Sequence, residues 1–270
     1  MASALRVGIS PCPNDVYVFA GLITGNVSWD GAPLAFEYED VQTLNEQAQT
    51  GAFDIVKISY AAYRTVSDAY DLLDCGGALG RGVGPLLLRK GNANFDFGAE
   101  IMVPGEQTTA NFLLDFYLRT QGITNPRKRF VSYDVLYREL CNHEGAQGVV
   151  IHEARFTFER DGLTLLQDLG EFWEGQTGYA IPLGAVLARR DVPGLREKAE
   201  HIIRESIAWS DAHPDAVLDL CRQHAQEMTD SVMRQHIDLY VNADTRGLTD
   251  AGQASIRFFL EKQKEFGQAG

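Results

Sequence analysis

Apolar runs and stretches of helical period alternate along this chain in two blocks. A glycine-rich segment, Gly76-Gly77-Ala78-Leu79-Gly80-Arg81-Gly82-Val83-Gly84, parts them. Strand–helix alternation builds mostly parallel sheets covered by helices, so the chain is of the α/β class. The first block predicts strands over 5–10, 34–39 and 53–58 and helices over 15–24, 43–50 and 61–67. The run from Pro85 to Arg89 reads as a strand, and the second block follows it with strands over 101–103, 129–133 and 148–151 and helices over 108–119 and 135–142. A loop region carrying Trp173 and Pro182 then leads to a strand over 184–188. From Leu195 onward the pattern is helical, with breaks at His213-Pro214, near Thr229 and near Gly247. A chain that leaves one lobe, builds a second and returns predicts two α/β lobes, 1–88 plus 184–270 and 89–183. Apolar connectors near 84–90 and 182–190 would form a two-strand hinge, and the cleft between the lobes would be the ligand site.

The formal net charge of −13 over 270 residues argues against nucleic acid or an anionic membrane surface as a partner, because both require a basic face. It also means that an acidic ligand needs local donors to overcome the general field. No apolar run is long enough to span a bilayer, and the opening Met-Ala-Ser-Ala lacks the pattern of a secretory signal. Cys12, Cys75, Cys141 and Cys221 are scattered without a C-x-x-C pair, which suggests neither a disulfide framework nor a thiolate zinc site. The expected compartment is the cytoplasm, where the sequon Asn26-Val27-Ser28 has no meaning.

Within this frame a few residues stand where chemistry is done. Ser10-Pro11-Cys12-Pro13-Asn14-Asp15 joins the first strand to the first helix, and such a junction presents backbone N–H groups at the carboxyl end of a strand. Asn14 or Asp15 can cap that helix, while the prolines stiffen the approach. His152 directly follows Val149-Val150-Ile151, at the carboxyl end of a buried strand. An imidazole there can move a proton near neutral pH, or serve only as a hydrogen-bonded structural residue. Glu153 follows, but there is no second histidine four residues on, so this is no H-E-x-x-H zinc helix.

Lys57 and Ser59 flank Ile58 at the end of the third strand and share a face by alternation, so together they can hold a carboxylate. A solvated strand end is the plainer alternative. Thr108 or Thr109, before Ala110, can cap a helix and offer donors to an anion. Arg81 can bring positive charge to the cleft or lie on the surface. The glycines around it fit neither G-x-G-x-x-G nor the P-loop, so no dinucleotide or ATP site is indicated. His143, His201, His213, His224 and His236 read as solvated or locally paired, and Cys12 as a small packed thiol.

Taken together, these blocks resemble the 1,4-dihydroxy-6-naphthoate synthases of the futalosine route to menaquinone. The resemblance runs from Ser10–Asp15 to Tyr240-Val241-Asn242-Ala243. It passes through Lys57-Ile58-Ser59-Tyr60-Ala61-Ala62-Tyr63, Gly76 to Pro85, Pro104-Gly105 with Thr108-Thr109-Ala110, Ile151-His152-Glu153 with Arg155, and Pro182-Leu183-Gly184. It is weak around Asn92 to Phe97 and over 120–147, and implies nothing there. Elsewhere it implies a two-lobed fold similar to periplasmic solute-binding proteins of type II, in a cytoplasmic enzyme without metal or organic cofactor. The implied reaction opens cyclic dehypoxanthine futalosine, a small carboxylate-bearing substrate, and releases 1,4-dihydroxy-6-naphthoate. The family's proposed general base falls on His152, and its substrate-binding segments fall on Lys57, Ile58 and Ser59 and on Thr109 with Ala110. Two rival readings share the fold: a chorismate dehydratase of the same pathway, whose amino-terminal motif differs from Ser10–Asp15, and a non-catalytic binding protein for small carboxylates.

Overall fold

In the computed structural model, which describes residues 4–91, 94–224 and 228–268, the first strand leads straight into a helix through the prolyl loop. β1 (Leu5–Ile9) is followed by α1 (Pro13–Ile23), with Cys12 at the N-cap and Pro13 as the first helical residue. This corrects the expected capping by Asn14 or Asp15. Proline has no N–H to leave unpaired and its φ is preset for the first turn, so the helix begins one residue before Asn14. β2 (Leu34–Tyr38) leads to α2 (Val41–Gln49), whose first turn is capped by the Asp40 carboxylate. β3 (Ile55–Ser59) passes through a 3-10 turn at Tyr60–Ala62 into α3 (Tyr63–Val66). Two strands absent from the sequence reading follow, β4 (Tyr70–Leu72) and β5 (Ala78–Gly80). Each is three residues long, Tyr-Asp-Leu and Ala-Leu-Gly, and neither carries the run of large apolar residues that marks the equally short β7.

The next stretch begins with β6 (Leu86–Lys90), β7 (Ile101–Val103) and α4 (Thr109–Thr120), then β8 (Lys128–Phe130) and α5 (Tyr133–Asn142). β9 (Gln147–Val150) and α6 (Ala154–Thr157) complete the expected alternation. The expected loop around Trp173 is instead β10 (Leu163–Asp168) and α7 (Leu169–Thr177). Gly170 and Gly175 lower helical propensity and hide α7 from a sequence reading. Gly170 is there for packing: a Cβ on the facing Gly84 would stand 2.3 Å from the Gly170 Cα. β11 (Ile181–Arg189) then precedes an all-helical stretch: α8 (Leu195–Ala212), α9 (Pro214–His224), α10 (Asp230–Tyr240), α11 (Ala243–Arg246) and α12 (Asp250–Gln268).

The strands form two sheets, and the chain divides into two compact units. The first unit runs to Leu79 and resumes over Pro182–Gln253. Its sheet has the order β2-β1-β3-β11-β4, with β5 on β11; β1 is parallel to β2 and β3, and β11 antiparallel to β3 and β4. Its core gathers Val7, Ile9, Val18, Phe19, Val186 and Ile203. The second unit comprises Gly80–Ile181 and the chain from Ala254 onward. Its sheet has the order β10-β6-β9-β7-β8, with β7 parallel to β8 and β9, and β6 antiparallel to β9 and β10.

This division differs from the expected lobes in assigning residues 80–88 and most of α12 to the second unit. The reason is aromatic packing. Phe259 and Phe266 of α12 meet Phe112 of α4 at ring-centroid distances of 4.7 and 5.5 Å, and Trp173 packs edge-on against Phe259. His236, read as solvated or locally paired, is the latter: it is 1% exposed and packs against Tyr240. No helix among the described residues is long and apolar enough to cross a membrane.

Trp173 is fully buried and meets Phe112, Phe116, Phe258 and Phe259 edge-on. Trp173→Ala is therefore expected to cost about 3–5 kcal/mol of stability in urea denaturation. Trp173→Phe should cost less, because the indole N–H has no hydrogen-bond acceptor among the described residues.

Candidate functional site

In the first unit the carboxyl ends of β1 and β3 carry a buried polar cluster centred on Asp15. One carboxylate oxygen accepts from the Lys57 ammonium at 2.6 Å and from the Asn14 amide at 2.8 Å. The other accepts from the Ser10 hydroxyl at 2.7 Å and its N–H at 3.4 Å. Lys57 also donates to the Gly76 carbonyl at 3.0 Å, and the Ser10 hydroxyl accepts from the Cys12 N–H at 3.3 Å. The ion pair is about 95% buried on both sides. The Lys57 charge is thus matched within the protein, where it holds the strand end.

The long Lys57 side chain needs room, and β11 provides it. A Cβ at the facing Gly184 would stand 2.7 Å from the Lys57 Cε, so only glycine lets the chain pass to Asp15. Pairing of β1 with β3 ends at Val56, and beyond it the Ser59 N–H is taken by the Asn45 side chain at 2.9 Å. Ile58 is fully buried, so its apolar side chain serves the core. Ser59, also buried, carries the hydroxyl of this strand end. Cys12 is buried, as is Cys221, whose thiol is pushed up to about 12 by burial.

In the second unit three parallel strands, β8, β7 and β9, deliver their carboxyl ends side by side, because Ile101 and Met102 of β7 pair with Gln147 and Gly148 of β9. From β7 the chain enters α4. Thr108 caps it, accepting the Asn111 N–H at 3.2 Å and donating its hydroxyl to the Gly105 carbonyl at 2.8 Å. Thr109 and Ala110 occupy the first two helical positions, where N–H groups have no partner inside the helix. The preceding loop is further tied by the Asn111 amide to the Glu106 carbonyl at 2.8 Å.

From β9 the chain reaches His152, the one residue other than glycine with positive φ (58°) among the described residues. A left-handed conformation costs a side-chain-bearing residue roughly 1–2 kcal/mol. Such outliers gather at functional sites, where the surroundings hold them in place. The Tyr133 ring stands edge-on to the imidazole at 5.2 Å, and its hydroxyl donates to the Ile151 carbonyl at 2.6 Å. Just past the histidine, Arg155 donates to the Gly84 carbonyl at 2.7 Å and to Asp168 at 2.6 Å.

Arg81, read as a cation for the cleft or as a surface arginine, is exposed and donates to the Gly178 carbonyl at 2.5 Å beside Glu174, at the end of α7. Sequence reading overlooked the roles of Asp15, Tyr133 and Asp168. Only long-range pairing exposes them, and no local motif marks it. Tyr38 and His224 stack at 4.1 Å, and burial lowers the basicity of that imidazole, so His224 is locally paired as expected.

Comparison with known proteins places these features in a lineage. A family model described as menaquinone biosynthesis matches residues 5–265. The 1,4-dihydroxy-6-naphthoate synthase of Thermus thermophilus is 44% identical over 262 residues, covering 96% of this chain and 94% of its own. That of Streptomyces coelicolor is 41% identical over 268 residues, covering 97% and 93%. Among solved structures, protein AF1704 from Archaeoglobus fulgidus superposes with a TM-score of 0.90 at 27% identity over 98% of both chains. The periplasmic aliphatic sulphonate binding protein SsuA from Escherichia coli gives 0.65 at 12% identity, over 97% of this chain and 88% of its own. At that identity the likeness is of fold alone, and it shows the two-lobed architecture of periplasmic binding proteins.

The Asp15 cluster makes a direct stability prediction. Lys57→Met strands a buried carboxylate and should cost about 3–5 kcal/mol. Adding Asp15→Asn removes the stranded charge and should recover part of that loss, as measured by chemical denaturation of the single and double variants.

Proposed function

The chain belongs to the menaquinone-biosynthesis family, and we propose that it acts there as a 1,4-dihydroxy-6-naphthoate synthase. On this reading it is a lyase of the cytoplasm that cleaves cyclic dehypoxanthine futalosine and uses no metal or organic cofactor. His152 carries the proposal: a histidine at the end of a buried strand, in a backbone conformation it does not adopt freely, at the same sheet edge from which the chain enters α4.

The chemistry assigned to it is proton abstraction. The neutral imidazole takes a hydroxyl proton from the sugar part of the substrate. The O–H electrons form a carbonyl, the adjacent carbon–carbon bond breaks in retro-aldol fashion, and its electron pair passes into the carbocycle. Aromatisation then draws the reaction forward. A positioned base of this kind contributes about 10²–10⁴-fold.

The substrate's carboxylate, on the same reading, is held by the N–H groups of Thr109 and Ala110. The partial positive charge at the start of the twelve-residue α4 favours an anion there. Ser59 donates a hydrogen bond to the substrate, and Asn14 offers the oxygen of an amide whose nitrogen is turned to Asp15. Lys57 acts through its field. Support for the substrate class comes from the names of two relatives that share more than two fifths of their residues with this chain along nearly its full length.

His152→Asn keeps shape and some hydrogen bonding but cannot act as the base. It should lose about 10²-fold or more in kcat with KM little changed, measured by mass detection of the naphthoate. In the parent enzyme kcat/KM should fall toward acid as the imidazole takes up a proton. Near-normal kcat in a folded His152→Asn protein would remove the base role from this residue. Ser59→Ala should weaken substrate binding by about 0.5–1.5 kcal/mol, read from a titration with substrate on the His152→Asn background.

A further inference from the structure

We propose that Arg155 is the positioning residue for His152, locking the turn between β9 and α6 through Asp168 and the Gly84 carbonyl. The proposal rests on the reading of His152 as the base. At φ 58°, His152 lies in a backbone region that a histidine occupies when its surroundings hold it there. The turn's own bond from the Arg155 N–H to the His152 carbonyl is long, at 3.4 Å. Side chains brace it from both ends. Upstream, the Tyr133 hydroxyl holds the Ile151 carbonyl. Downstream, the Arg155 guanidinium reaches Gly84 at 2.7 Å and Asp168 at 2.6 Å.

The anchor that Arg155 grips is itself rigid. One Asp168 oxygen accepts the N–H groups of Gly170 and Glu171 at 2.8 and 3.0 Å, capping α7, while the other faces Arg155. The Gly84 and Gly170 backbones are in contact, so both acceptors of the guanidinium belong to one packed element. Asp168 is 6% and Arg155 18% exposed on their side chains, which shields the pair from water and salt. A planar fork holds two acceptors in a fixed relative direction, whereas an ammonium on a flexible stem leaves that direction loose. The guanidinium is engaged within the protein, so its effect on catalysis passes through His152.

The test uses the full-length enzyme with Arg155→Met, Arg155→Lys and Asp168→Asn, and Arg160→Met as a control at an exposed neighbour of Asp161. Two readouts are needed: turnover of the cyclic futalosine substrate, and the imidazole carbon–proton NMR signal of His152, assigned by its loss in His152→Asn. Arg155→Met and Asp168→Asn are expected to lower kcat about 10–100-fold, with KM within about threefold. Arg155→Lys should recover part of the rate. The His152 signal should move or broaden in Arg155→Met and Asp168→Asn, and stay in place in Arg160→Met. The Arg155→Met/Asp168→Asn double variant should be little worse than either single one, because the pair acts as a unit. Asparagine still caps a helix, so Asp168→Asn keeps α7 in place and carries the test if Arg155→Met fails to fold. A folded Arg155→Met enzyme with parental kcat and an unmoved imidazole signal would overturn the proposal, and so would a variant that changes KM alone. Activity retained in His152→Asn would instead defeat the base reading, while the imidazole signal still decides whether Arg155 positions the ring.

Discussion

Parallel pairing of neighbouring strands is the constraint from which the rest of this structure follows. β1 lies parallel to β2 and β3, and β7 parallel to β8 and β9. Parallel neighbours must be joined by crossovers, so every strand of each set ends at the same edge of its sheet and is followed there by a turn into a helix. Three such turns in the second unit bring Tyr133, the α4 start and His152 to one edge. In the first unit the same rule gathers Ser10–Asp15 and Ser59. Residues more than forty positions apart become neighbours for no reason other than strand direction.

Both edges are then stiffened by the same device, a buried carboxylate that binds backbone or loop groups with one oxygen and a distant cation with the other. Asp15 takes Ser10 on one side and Lys57 on the other; Asp168 takes the α7 N–H groups and Arg155. Such pairs add little net stability over well-packed apolar groups, because desolvating two charges offsets their attraction. Their value lies in direction. An ion pair with hydrogen-bond geometry fixes one loop conformation where an apolar contact would tolerate several.

At a net charge of −13, any acidic ligand meets repulsion at long range. Salt screens that field over roughly 8–10 Å, so what matters is the first layer of donors. The N–H groups at a helix start suit this need, since they carry only partial charge and require no counter-ion. Two charged side chains at these edges are already satisfied internally, Lys57 by Asp15 and Arg155 by Asp168. These charged pairs serve the architecture of the two strand edges.

The sequence alone determined the class of the fold, most of its elements and the strand-end position of His152, Ser59 and the Thr108–Ala110 cap. Each of these is a local property: apolar period, chain reversal at Gly or Pro, and a capping side chain ahead of a helix. The resemblance to naphthoate synthases was likewise legible, because it rests on the order of short motifs. Tertiary structure decided what local rules cannot reach. α7 forms despite its glycines because Gly170 packs on Gly84, and α12 joins the second unit because Phe259 and Phe266 pack on Phe112. Lys57 reads as a free cation until Asp15 is seen beside it, and the left-handed backbone of His152 is one that histidine tolerates but that its surroundings must hold in place. Those outcomes depend on which distant atoms a segment meets, and burial raises the cost of every unmatched one, so the partners rather than the local sequence select the conformation.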